Sequence, residues 1–165
     1  MKPLLLTTFL AACAWSQPKP APPPPVCAPG AVPQAPEPLV AGAKVIALWP
    51  AGSPALRGCM QKETFRPTDG QPERIQKVFN VHNPSIELHL APAAKANGAA
   101  IILAAGGGNT ELNVGTEGTD IAAWLNDLGV HAFILRYRLP PYNSATDALA
   151  DTQRSIRMLR ANAKT

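Results

Sequence analysis

Apolar and polar positions along the chain fall into three patterns, and each predicts a different element. "RIQKVFNVHN" and "SIELHLAP" alternate apolar with polar residues and are separated by Asn83-Pro84, which predicts an antiparallel strand pair with one face covered. A shorter apolar run in "KVIALWPAGSPA" precedes them and is closed by Trp49-Pro50 and Gly52-Ser53-Pro54, a strong turn signal. "AAIILAA" and "VHAFILRYRL" are apolar without alternation, as expected of strands covered on both faces in a parallel sheet. Between them, "TDIAAWLNDLG" places Ile121, Trp124, Leu125 and Leu128 at helical spacing, which predicts one stripe facing the sheet, Trp124 in the core and Gly129 as the C-terminal cap. After Pro140-Pro141 a second helix is predicted from Ser144, with Asp147 three residues on as a capping-box variant. Its inward face is Ala145, Ala148, Leu149, Thr152, Ile156 and Leu159. Right-handed crossovers make the last two strands parallel neighbours, so the predicted fold class is α/β, antiparallel strands first and then parallel strands with flanking helices. No internal repeat is present.

The first forty residues have no such period. "QPKPAPPPPVCAPGAVPQAPEP" is Pro- and Ala-rich, favours extended polyproline geometry and presents no apolar face, so residues 17–43 are expected to be a linker. Ahead of it, "MKPLLLTTFLAACAWSQ" combines Lys2, an apolar segment and small residues at Ala12, Ala14 and Ser16, the pattern of an export signal over residues 1–16. That segment is too short to span a bilayer. "LAAC" ending at Cys13 also matches a lipoprotein box, in which Cys13 is lipidated. The expected destination is therefore the periplasm or the outside of the cell, with membrane attachment only through a lipid on Cys13. Residues 44–165 are left for the globular domain.

Composition narrows the function classes. The chain has 165 residues, 46% hydrophobic and 19 of them proline, with a net charge of +4 and a pI near 9.2. Its cations are scattered and no basic run is interleaved with aromatics, so no nucleic-acid partner is expected. Cys27 and Cys59 are candidates for a disulfide in an oxidising compartment. No CxxC pair or helically spaced His pair is present, so no metal and no cofactor is expected. His82, His89 and His131 fall in or beside predicted strands and read as packing or surface residues.

The candidate chemistry lies in "AAGGGNTELNVGTEG". Glycines between a strand and a helix let clustered backbone N–H groups face a phosphate or an oxyanion. A dinucleotide fingerprint needs glycine where Glu111 stands and a helix opening directly after the turn, and a P-loop needs Gly-Lys-Ser/Thr; neither occurs. A turn without a ligand remains the plainer reading of Gly106, Gly107 and Gly108.

The run "IILAAGGGNTELNVGTEGTDIAAWLNDLGVHAFILRYRL", followed by "DALADTQRSIRMLR", resembles the first half of an α/β-hydrolase of the bacterial esterase group related to acetyl-xylan esterases. The resemblance is carried by Gly106 to Gly108, Glu117-Gly118, Trp124-Leu125, Gly129 and Tyr137-Arg138-Leu139, with "LWPAGSP" similar to the segment upstream, and it spans residues 48–160. It implies an ester substrate, plausibly an acetylated carbohydrate such as xylan, attacked by a serine. Gly107 and Gly108 would supply oxyanion-hole N–H groups, with Gly106, Asn109 and Glu117 supporting the loop. Ala105 departs from the lipase-type His, and Asn109 stands where this group often has Tyr. Glu117 either orients the loop, contacts substrate, or only complements a helix dipole as a first-turn acid. Arg138 and Asp151 are expected to pair and tie helix to strand.

The resemblance also implies a G-x-S-x-G nucleophile turn followed by the acid and the histidine. None of Ser16, Ser53, Ser85, Ser144 and Ser155 has that context, and His131 precedes any such turn. The expectation is an N-terminal portion of such an esterase, inactive by itself, in which "AAIILA" becomes an open apolar edge. Rival expectations are a noncatalytic glycan-binding envelope module, a nucleotide-binding α/β protein and a nonfunctional remnant.

Overall fold

The computed structural model describes residues 34–56 and 62–163. The expected export signal, the three cysteines and most of the Pro-rich stretch lie outside the described residues.

Four strands form the main sheet in the order β1, β4, β6, β5: β1 (Lys44–Ala47), β4 (Ser85–His89), β6 (His131–Arg136) and β5 (Ala100–Ala104). The pairs β1–β4 and β4–β6 are antiparallel, and β5–β6 is parallel, with Ala100 opposite His131 and Ala104 opposite Leu135. A second, two-stranded sheet joins β2 (Thr64–Thr68) to β3 (Gln71–Phe79). Together with helices α1 (Asp120–Asp127) and α2 (Leu149–Ala161), this mixed sheet fits a partial α/β fold. The last two strands are parallel neighbours, as their crossover predicts.

The antiparallel pair is corrected. β3 does not pair with β4; it pairs with β2 through a two-residue turn at Asp69-Gly70, where Gly70 takes φ 74°. Asp-Gly between strands is a strong local hairpin signal, and Pro67, which irregularises the β2 register, masks it. Past Phe79, Asn80 turns the chain at φ 56°. The inner end of β3 then joins the glycine loop, with Val78 N donating to Leu112 O at 3.0 Å and Leu112 N to Val78 O at 2.9 Å.

β6 is the centre of the sheet, and its successive side chains serve two cores. Ala132 and Ile134 pack with Val78, Val81, Leu112, Ala122 and Leu125 under α1, while Phe133 and Leu135 pack with Leu48, Ile86, Met158 and Leu159 under α2. β5 lies at the sheet edge, and only Ile102 and Leu103 are half-buried, so its expected coverage on both faces is not met. At the far side Glu87, fully buried, accepts the N–H groups of Leu39 (2.6 Å) and Val40 (3.2 Å), which pins the end of the Pro-rich stretch to β4.

Both helices are turned from their expected faces. α1 buries Ala122 and Leu125, and Trp124 is 60% exposed, with Ile121 and Leu128 also exposed. A small Ala122 on the sheet side lets the helix axis approach closely, and this rotates the bulky residues outward. Gly129 ends α1 as expected: at φ 78° its N–H reaches Asn126 O while Val130 N reaches Leu125 O, both at 3.0 Å. A Cβ on Gly129 would lie 2.1 Å from Lys95 O, so only glycine fits this cap. α2 buries Asp151 and Ser155 and exposes Leu149 and Ile156, while in the turn ahead of it Ala148 is buried and Ala145 exposed. The cap sits one residue earlier than expected: Asn143 Oδ1 accepts from Ala145 N at 2.8 Å, and Asp147 Oδ2 accepts from Asn143 N at 2.9 Å. A π-type turn, Ser144–Ala148, precedes the regular helix.

Candidate functional site

The glycine loop leaves the carboxyl end of β5 beside that of β6, where crevices open in α/β sheets. Three consecutive peptide units in the loop are held by their carbonyls. Ala105 O accepts from Tyr137 Oη at 2.8 Å, and Gly106 O from Asn113 N at 2.8 Å. Gly107 O accepts from Thr110 N at 3.2 Å, Glu111 N at 3.3 Å and Thr110 Oγ1 at 3.1 Å. In a planar trans peptide the N–H points opposite the carbonyl, so these bonds aim the N–H groups of Gly107 and Gly108 away from the loop interior. Among the described residues, neither these two N–H groups nor that of Asn109 has an acceptor.

Glycine is required at the centre of this arrangement. Gly107 takes φ 151° and a Cβ there would lie 2.0 Å from Glu111 O; Gly108 follows at φ 63° and Asn109 at φ 61°. Asn tolerates that left-handed conformation better than most side chains, a local reason for it at this position.

Glu117 holds the loop directly: its Oε2 accepts from Gly106 N at 2.6 Å. It also stands in the first turn of Gly115–Thr119, where a carboxylate lies near the unpaired N–H end of the turn. Burial, reinforced by the negative charge of Glu117, raises the pKa of Tyr137 above the ordinary phenol value. β3 braces the loop from outside through ion pairs of Lys77 with Glu111 and of Arg74 with Asp120, and Gln76 packs over Gly115.

A cavity of about 440 Å³ opens against the loop. Residues 106–109 form one wall, and Ala104, Tyr137, Ser144, Ala148, Leu149 and Thr152 form the rest. Backbone donors converging on such a space can stabilise a negative oxygen.

The nucleophilic side of that chemistry is not assembled among the described residues. Ser85 accepts from Arg136 Nε at 3.1 Å in the buried sheet, Ser155 donates to Thr152 O at 2.7 Å within α2, and Ser53 accepts from Ala55 N at 3.3 Å in a turn. Ser144 lines the cavity without a histidine partner. His89 pairs with Glu87 at 3.0 Å, and His131 Nδ1 accepts from Ala91 N at 3.1 Å. His82 is buried against the Tyr142 ring with neither ring nitrogen partnered, and that burial lowers its pKa. All three act in packing or local bonding.

Arg138, just past β6, and Asp151 tie strand to helix, the pairing that the resemblance implies. The carboxylate receives Arg138 Nε at 2.9 Å, Nη2 at 2.8 Å and the Arg138 backbone N–H at 3.1 Å. Trp49 Nε1 adds a fourth donor at 2.7 Å, which fastens the upstream turn to the same hub. Both charges are buried, and the bidentate geometry compensates their desolvation.

Two supporting residues escape a sequence-level reading. Tyr137 is visible there only as part of a strand-end motif, and its hydroxyl role depends on where the strand stops. Asn113 acts through its main chain, which leaves no mark in the sequence.

No family model matches the chain. Over 68 residues, 41% of this chain, it is 35% identical to an acetylxylan esterase of Xylanibacter ruminicola, and this stretch spans 14% of that protein. Among solved structures it is similar to an acetyl ester-xyloside bifunctional hydrolase from Caldicellulosiruptor lactoaceticus, with a TM-score of 0.52 and 26% identity. That match covers 76% of this chain and 39% of the hydrolase. The two comparisons support an esterase-like relationship.

Proposed function

We propose that this chain carries the oxyanion-stabilising part of an acetyl ester hydrolase domain of the α/β-hydrolase type, exported from the cell and directed at acetylated polysaccharide such as xylan. What carries the reading is the outward aim of the Gly107 and Gly108 N–H groups over a cavity at the ends of two parallel strands. In the reaction a serine oxygen attacks the ester carbonyl carbon as a histidine takes its proton, the carbonyl π electrons move to oxygen, and the two N–H groups bind the resulting O⁻. Each such donor contributes about 3 kcal/mol to the barrier reduction. The tetrahedral carbon then expels the carbohydrate oxygen, which takes a proton from a general acid, and water later releases acetate. The serine, acid and histidine of this scheme are not brought together among the described residues. The acetyl preference is supported by the names of both relatives, of which this chain spans 14% and 39%.

The test is hydrolysis of 4-nitrophenyl acetate by the natural gene product and by its Gly107→Pro variant. Removing the N–H lowers kcat roughly 10²–10³-fold, and the proline ring, which cannot take φ 151° beside Glu111 O, displaces the loop and adds to that loss. An unchanged kcat removes Gly107 from the oxyanion hole. Binding of acetylated xylo-oligosaccharide with no hydrolysis by the natural product points instead to a noncatalytic glycan-binding module.

A further inference from the structure

We infer that Glu117 and Tyr137 are positioning residues that grip the two polar ends of one peptide unit, Ala105–Gly106, and thereby set the direction in which Gly107 presents its N–H. Ala105 O accepts from the Tyr137 hydroxyl at 2.8 Å, and Gly106 N donates to Glu117 Oε2 at 2.6 Å. The carbonyl and the N–H of the same peptide are thus held by side chains from two elements, the end of β6 and the turn before α1. This unit differs from the two that follow it. Their carbonyls are held largely by main-chain donors of the loop itself, at Asn113, Thr110 and Glu111, whereas the first unit depends on side chains from outside the loop.

Gly106 is conformationally permissive, so nothing in its own backbone prevents this peptide from turning over. A turned peptide would aim its carbonyl at the Glu117 carboxylate and its N–H at the phenol, losing both bonds and setting two oxygens against each other. The carboxylate is itself fixed by a closed circuit of three bonds. Gly106 N donates to Glu117 Oε2, Glu117 N donates to Asn113 O at 3.1 Å, and Asn113 N donates to Gly106 O at 2.8 Å. The last bond orients the Gly106–Gly107 peptide, whose N–H is the proposed oxyanion donor. Space is tight as well: a Cβ on Gly106 would lie 3.2 Å from Glu117 Oε2.

The purpose assigned to the grip rests on the oxyanion reading, but the grip itself is measurable without turnover. The experiment is ¹⁵N NMR of this chain in four forms: wild type, Glu117→Ala, Glu117→Gln and Tyr137→Phe. Glu117→Ala is expected to speed hydrogen exchange of the Gly106 amide by about tenfold or more. It should also move the Gly107 and Gly108 amide resonances, while the thermal midpoint stays within a few degrees of wild type. Glu117→Gln keeps an acceptor and restores most of both signals, and it brings the Tyr137 phenol pKa down by removing the neighbouring charge. Tyr137→Phe moves the same two glycine resonances.

Gly107 and Gly108 resonances that stay in place in both Glu117→Ala and Tyr137→Phe overturn the proposal, whether or not the thermal midpoint falls. The two readings separate cleanly. If the loop responds as expected and Gly107→Pro leaves kcat unchanged, the grip stands and the oxyanion assignment falls.

Discussion

Strands β5 and β6 lie side by side, run in the same direction and are nearly identical in character: Ala-Ile-Ile-Leu-Ala beside His-Ala-Phe-Ile-Leu-Arg. Their surroundings are opposite. β6 has a hydrogen-bonded strand on each side and a helix over each face, and its Ile134 and Leu135 are completely buried. Among the described residues β5 is paired on one side only, and Ile101 is 42% exposed. The difference teaches that an unalternating apolar run marks a strand able to serve two faces, while its burial depends on how many neighbours the topology supplies. The glycine loop continues from the exposed strand and takes its support from the buried one, through Tyr137 just past the end of β6.

The largest expected effect tests the buried side. Asp151→Ala removes the bidentate partner of the buried Arg138 guanidinium and leaves it only the Asp147 carboxylate at 3.6 Å and two carbonyls, which is expected to cost about 3 kcal/mol of unfolding free energy by urea titration. A cost near zero would mean that Arg138 escapes to solvent and the hub is not rigid. Next, Ile134→Ala in β6 is expected to cost about 2–5 kcal/mol, whereas Ile101→Ala in β5 costs less than about 1 kcal/mol. Equal costs would erase the contrast between the two strands.

A pH dependence belongs to the same buried end. Arg136 Nη1 lies 3.4 Å from the Glu63 carboxylate, yet burial pushes the Glu63 pKa from 4.5 up to about 7 against that attraction. A raised folded-state pKa means that the folded state binds the proton more tightly. The stabilisation from Glu63 is therefore fully present below about pH 4.5 and is lost as the pH rises through about 7. Glu63→Gln, neutral at every pH, should gain on the order of 1–3 kcal/mol over wild type at pH 8 and almost nothing at pH 4.5. An unchanged difference across that window would show that Glu63 has the same pKa in the folded and unfolded states. The smallest effect on stability, and a sharp one on solution behaviour, is expected for Ile101→Lys: a charge on the open edge leaves the urea midpoint close to wild type and reduces concentration-dependent self-association by light scattering.

How much of this was legible in the sequence depends on the range of each interaction. Alternation and its absence marked β3, β4, β5 and β6 as strands, because side-chain direction repeats every two residues within a single strand. The Gly129 cap, the Asn143–Asp147 cap to within one residue, and the location of the glycine loop were legible for the same local reason. The Arg138–Asp151 pair was legible as a candidate, and packing made it a hub by adding Trp49 from a hundred residues upstream. The β2–β3 hairpin carried a readable Asp69-Gly70 signal that Pro67 obscured.

The partners of β4, by contrast, were decided only in three dimensions. β3 and β4 are adjacent in the chain and both alternate, yet they do not pair: β3 closes a local hairpin with β2 and bonds Leu112, while β4 pairs with β1 and β6, both distant in the chain. The rotation that exposes Trp124 follows from which residue of α1 lets the helix lie closest to the sheet, a property of two packed surfaces and not of a period. In the glycine loop the sequence by itself determined that the backbone could turn sharply, because glycine lacks a Cβ. Which way its N–H groups point was decided by the tertiary structure, since each peptide plane is oriented by the atoms that hold its carbonyl, and Tyr137, Asn113 and Glu117 reach those carbonyls and N–H groups only once the chain has folded.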